Sequence, residues 1–106
     1  MHKIKPIGSA YADVTDDETA LSDKTTLADF IKLSMWSFTD DADETPAPAT
    51  NRILFGFETG LAVHELKPGD STDLIPCTNL NLIYVRTLKG QPAQKIYFTT
   101  YKIIES

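Results

Sequence analysis

The sequence predicts an all-β domain: a single antiparallel β-sandwich, immunoglobulin-like or jelly-roll-like, with about 5–7 strands. Three observations carry this. Ile, Val, Tyr, Phe and Thr gather in short runs that suit a pleated surface. Gly, Pro and Asp punctuate the chain between those runs. No stretch shows a helical period that strand alternation does not match as well. At 106 residues the chain is read as one domain spanning 1–106.

Residues 1–24 alternate weakly and are expected as an extended N-terminal arm, with "TDDETALSD" as loop. In "TTLADFIKLSMWSF" (25–38), helical spacing aligns Leu27, Phe30, Ile31 and Met35. Alternation instead aligns Ile31, Leu33 and Met35 against Trp36 and Phe38. The aromatic and β-branched content favours a strand over 29–38. "DDADETPAPAT" (40–50) combines four acids with Pro46 and Pro48, a composition of an exposed, mobile loop. "NRILFGFETG" (51–60) is a strand with Ile53, Phe55 and Phe57 on one face. Its Gly56 marks a bulge or a close backbone approach.

The last two runs, "NLNLIYVRTL" (79–88) and "AQKIYFTTYKII" (93–104), flank "KGQPA" and are expected to pair as a β-hairpin. Both are apolar on both faces. Leu80, Leu82 and Tyr84 lie opposite Ile83 and Val85, and Tyr97, Tyr101 and Ile103 lie opposite Ile96, Phe98 and Ile104. A two-layer sandwich buries one face of each sheet. The second face needs a cover, either the N-terminal segment or another subunit, and a subunit is favoured. Leu80, Leu82, Tyr84, Tyr97, Tyr101 and Ile103 are thus the candidate assembly face.

Reactive chemistry concentrates in "HELKPGDSTDLIPC" (64–77). Lys67-Pro68-Gly69-Asp70 fits a type II turn, proline setting φ and glycine accepting the positive φ after it. Strands pairing about this turn would set His64 across from Asp73, a half-site for a metal or an oriented base. Type II turns splay strands, however, so Pro68 and Gly69 are better read as a corner passing the chain between sheets. Cys77 would lie on the order of 13 Å from His64, too far for a dyad. It is expected as a buried, inert thiol. Asp40, Asp41, Asp43 and Glu44 lack the central glycine of a calcium loop. No catalytic residue, metal ligand or cofactor is expected, and the chain is not expected to be an enzyme. Trp36 and the tyrosines offer an alternative role, stacking on a carbohydrate or other small ligand.

The net charge is −5, and ten acidic residues against four basic ones in 1–50 hold all of it. No Lys/Arg cluster exists to bind a phosphate backbone, so nucleic acid is not an expected partner. No run approaches the ~20 apolar residues of a membrane span. A signal peptide is not expected, because "MHKIKPIGSAYADV" lacks an apolar core.

The order "NRILFGFETG", "GLAVHELKPGDSTDL", "LNLIYVRTLKG", "AQKIYFTTYKI" resembles the C-terminal part of small β-sandwich proteins of tailed-phage virions. Their pattern is a strand with a glycine, then L-x-P-G-x-S, then a run ending in I-Y-V, then a last strand. The resemblance covers about residues 51–104 of the chain. It implies a non-enzymatic virion structural protein of the capsid decoration, head-fibre, neck or tail accessory type. It further implies assembly in the host cytoplasm with other virion proteins or with copies of itself as a homo-oligomer. That pattern contains no catalytic residues, and 1–50 lie outside it.

Overall fold

The computed structural model describes residues 2–22, 28–40, 45–76 and 79–105. In chain order the strands are β1 (His2–Val14), β2 (Thr19–Ala20), β3 (Phe30–Met35), β4 (Phe38–Asp40) and β5 (Thr45–Pro46). They continue with β6 (Ile53–Gly56), β7 (His64–Leu66), β8 (Ile75–Pro76), β9 (Tyr84–Thr87) and β10 (Gln94–Glu105). A 3-10 turn at Leu80–Leu82 precedes β9. Within the segment over 29–38, Phe30–Met35 is strand, because its alternation buries Ile31, Leu33 and Met35 on one face, and the strand ends before Trp36.

Two four-stranded antiparallel sheets form the sandwich, in the orders β1-β10-β3-β8 and β2-β9-β6-β7. The pairs β1·β10, β2·β9, β3·β8 and β6·β7 are those of one long hairpin folded over on itself. Rolling that hairpin places its strands alternately in the two sheets, which is jelly-roll connectivity. β4 and β5 form a separate two-stranded ribbon. The Pro-rich 45–46 part of the acidic segment is thus paired rather than loop, while 41–44 lie outside the described residues.

The core lies between the sheets. One contributes Val14, Ile31, Leu33, Met35, Ile96 and Phe98, the other Leu21, Ile53, Phe55, Leu66 and Val85. These positions follow the two-residue period of their strands. The N-terminal segment does not cover an outer face. β1 is itself an edge strand, in register with β10 from His2↔Glu105 to Val14↔Gln94. Pairing of β10 with β3 stops at Tyr101↔Phe30, so the start of β1 and the end of β10 continue as a ribbon two strands wide.

The expected hairpin between 79–88 and 93–104 does not form. β9 belongs to one sheet and β10 to the other. Both runs have strand chemistry, but β10 finds a thirteen-residue partner in β1 and β9 finds β6. The connection is a corner pinned by side chains. Gly90 has φ +82, and its N–H donates to Asp16 Oδ2 at 3.0 Å. The Gln91 amide exchanges two bonds with the Arg52 backbone.

The 67–70 turn is also a corner. Gly69 has φ +86, Asp70 N–H donates to the Lys67 carbonyl at 2.9 Å, and Lys67 N–H donates to Asp70 Oδ2. β7 lies in one sheet, and the chain after the turn joins the other. There Thr72 N–H donates to the Leu33 carbonyl, and Thr72 Oγ1 accepts from Leu33 N–H.

Candidate functional site

The structure divides the sequence-selected assembly residues between two surfaces and the core. Tyr97, Tyr101 and Ile103 alternate with the buried Ile96, Phe98 and Thr100 along β10, so they face outward together. Their β1 partners Tyr11, Pro6 and Ile4 share that face. Leu82 is exposed and Tyr84 half-buried at the start of β9, in the second sheet. Leu80 departs from expectation: the 3-10 turn rotates it into the core, where it is 5% exposed. The six residues therefore do not make one face. The half that coheres is on β10.

That outer face is rich in aromatic groups. Tyr11 stands 55% exposed with its ring centroid 5.6 Å from that of Trp36. Lys95 Nζ lies 4.6 Å from the Tyr11 centroid and 5.8 Å from that of Trp36. It also pairs with Asp13 Oδ1 at 3.1 Å. The ammonium between two rings holds their tilt by cation–π attraction. Tyr97 Oη donates to Ser9 Oγ at 3.0 Å, fixing a third ring on the same face. Sequence reasoning missed Ile4 and Tyr11, because weak alternation in 1–24 hid their partnership with β10.

A second apolar surface lies in the 57–64 segment. Gly56 lets the loop fold back on β6: a Cβ there would stand 1.9 Å from the Leu61 carbonyl oxygen. The returning chain buries Ala62 and leaves Phe57, Leu61 and Val63 at 44, 51 and 65% exposure. These three, with Glu58 and His64, line a hollow of about 260 Å³. His64 is opposite Phe55, not Asp73, and its ring centroid is 5.2 Å from that of Phe55. The half-site alternative for His64 and Asp73 is thereby lost, since the 67–70 corner sends Asp73 to the other sheet.

A cleft of about 460 Å³ is lined by Asp16, Asp17, Glu18, Gly60, Arg86 and Lys89. Two of its carboxylates already accept backbone amides: Asp16 from Gly90 at 3.0 Å and Glu18 from Gly60 at 2.7 Å. Those bonds tie three loops together, which is a structural reason for the acidic turn. Among the described residues no three His, Cys, Asp or Glu groups are placed to hold a metal ion. Cys77 lies outside those residues. Among the described residues no helix is long and apolar enough to cross a membrane.

Compared with protein-family models, with curated proteins and with solved structures, the chain matches none of them.

Proposed function

We propose that this chain is a non-enzymatic structural subunit that works by protein–protein assembly, as a capsid decoration, head or tail accessory protein of a tailed-phage virion. The observation that carries the reading is the outward stripe of Ile4, Tyr11, Tyr97, Tyr101 and Ile103 on β1 and β10. Side chains of this kind in one patch are what a protein interface buries. The jelly-roll connectivity adds a fold-level analogy, since viral capsid domains use it, although the same architecture serves lectins. The partners would be other virion proteins or copies of this chain, met in the host cytoplasm and retained in the particle, with no cofactor.

Mass spectrometry of gradient-purified particles from the genome that encodes the chain tests this reading. Recovery at a stoichiometry above trace is the expected result, and absence from the particle overturns it.

The Tyr11–Trp36 pair supports a second reading, a stacking platform for a sugar ring. Quenching or a shift of Trp36 fluorescence on titration with a sugar panel would favour it, and an unchanged spectrum with every sugar would remove it.

A further inference from the structure

The chain carries a convex apolar feature and a concave one, and their charges are opposite. The convex feature is the ribbon that continues beyond β3, four residue pairs long, or about 13 Å at ~3.3 Å per residue. Its register makes it amphipathic. Ile4 and Ile103 are direct partners on the face continuous with Tyr101, and they are 47 and 45% exposed. Lys3, Lys5 and Lys102 occupy the reverse face with Ile104. At its base Asp29 Oδ2 accepts the Ile103 N–H at 2.8 Å.

The concave feature is the hollow of Phe57, Leu61, Val63 and His64. Its volume of about 260 Å³ lies below the range of about 300–1,000 Å³ usual for small-molecule sites, and suits side chains better. Glu58 lines it. Glu65 follows His64 on β7, with Arg52 Nε 3.9 Å from its Oε1. The hollow is built into the backbone, because it depends on the approach of Leu61 to a residue without Cβ.

Both features lie toward the same end of the sandwich. Thr87 N–H donates to the Thr15 carbonyl, just beyond the Val14 end of β1. Ile53 pairs with Thr87, whereas Gly56 pairs with Tyr84 at the other end of β9. The 57–64 segment therefore leaves β6 on the side toward which β1 and β10 extend as a ribbon. Among the described side chains, none from the ribbon lines the hollow within one chain.

We propose that two copies of this chain dimerise by exchanging ribbons, each seating Ile4 and Ile103 in the Phe57–Leu61–Val63 hollow of the other. A two-fold axis makes both contacts at once, because donor and acceptor lie at one end of each molecule. The flanking lysines reach Glu58 of the hollow from the reverse face, since their long stems can run along a ribbon only two strands wide. This inference rests on the assembly reading above and names its partner.

Light scattering across a concentration series tests it, with Trp36 fluorescence reporting that each variant is folded. The unmodified chain is expected as a dimer. A Lys3→Glu/Lys102→Glu variant and a Glu58→Lys variant should each raise the dimer Kd by about tenfold or more. Their equimolar mixture should recover the lost affinity, because each acidic ribbon then meets a basic hollow. Leu61→Asp, on the exposed loop, should also give a monomer and provides an independent variant. A chain monomeric at every concentration, a dimer indifferent to both charge reversals, or reversals that the mixture does not rescue would each overturn the exchange. Open-ended oligomers sensitive to the same reversals would point to one-way docking and overturn it as well. A chain that is found in the particle but is monomeric in solution refutes the exchange alone. Absence from the particle together with a rescued dimer refutes the virion reading alone.

Discussion

Gly56 and Gly60 sit four residues apart and should respond differently to alanine. At Gly56 the added methyl meets the Leu61 carbonyl oxygen at 1.9 Å and Ala62 Cα at 3.0 Å, both backbone atoms that cannot rotate away. Gly56→Ala is expected to cost about 1–3 kcal/mol or more, as overpacking does. Gly60 has φ +82 with nothing near its missing Cβ, so Gly60→Ala meets only the left-handed backbone penalty of about 1–2 kcal/mol. Urea unfolding midpoints separate the two. Gly56→Ala should also disturb the hollow, read as a loss of dimer, whereas an equal effect of both variants would refute the close-approach argument. The sequence already marked Gly56 as a bulge or a close approach, since glycine inside a strand run has few other uses. It did not mark Gln94, which looks like an ordinary polar strand residue. Gln94 is 1% exposed, and its amide donates to the Trp36 and Phe38 carbonyls at 3.1 and 2.7 Å and accepts from Asn51. Its importance comes from carbonyls more than fifty residues away, which no local pattern encodes. Gln94→Leu leaves these groups unpaired and is expected to cost roughly 2–4 kcal/mol, read from the same urea midpoints, and a change within error would show that water replaces the amide.

At the level of elements, the two corners show what turn chemistry can and cannot specify. Pro68 and Gly69 gave the geometry of the β7–β8 connection directly, because a type II turn opens strands instead of closing them. Gly69→Ala should lower stability by about 1–2 kcal/mol through its positive φ, and Pro68→Ala by about 0.4–1 kcal/mol through unfolded-state entropy. Thermal melts of the two variants test that order, and a larger loss at Pro68 would mean that the turn is held by contacts rather than by backbone preference. The 88–93 connection was not legible in the same way. A five-residue loop containing Gly90 and Pro92 can close a hairpin or cross between sheets, and its flanks are good strands in either case. The choice was made by β1, whose weak alternation conceals twelve residues of pairing to β10. Leu80 was misread for a related reason. A 3-10 turn breaks the two-residue period, so counting from Tyr84 puts it on the wrong side.

The whole molecule is a hairpin closed across its full length: Ser9 stands opposite Thr99, and His2 opposite Glu105. Pairings this distant cost loop-closure entropy before they are rewarded, so refolding is expected in the millisecond-to-second range typical of β-sandwiches. The same closure explains why the candidate surfaces could not be assembled from the sequence. The ribbon takes Ile4 from one end of the chain and Ile103 from the other, and only their register makes an apolar face. A cross-link between β1 and β10 tests this architecture. Ser9 and Thr99 are direct partners on the outer face, where cross-strand Cα spacings of about 4.5–5.5 Å suit a disulfide. A Ser9→Cys/Thr99→Cys variant in a Cys77→Ser background constrains nearly the whole unfolded chain, and should gain about 2–4 kcal/mol when oxidised. For a domain of this size that raises Tm by on the order of 10 °C or more, reversed by a reductant. The same bridge should leave the dimer intact, since neither cysteine lies on the ribbon tip or in the hollow. Equal melting of the oxidised and reduced forms, with the disulfide verified by mass, would mean that β1 and β10 are already held together in the unfolded chain or are not paired in the folded one.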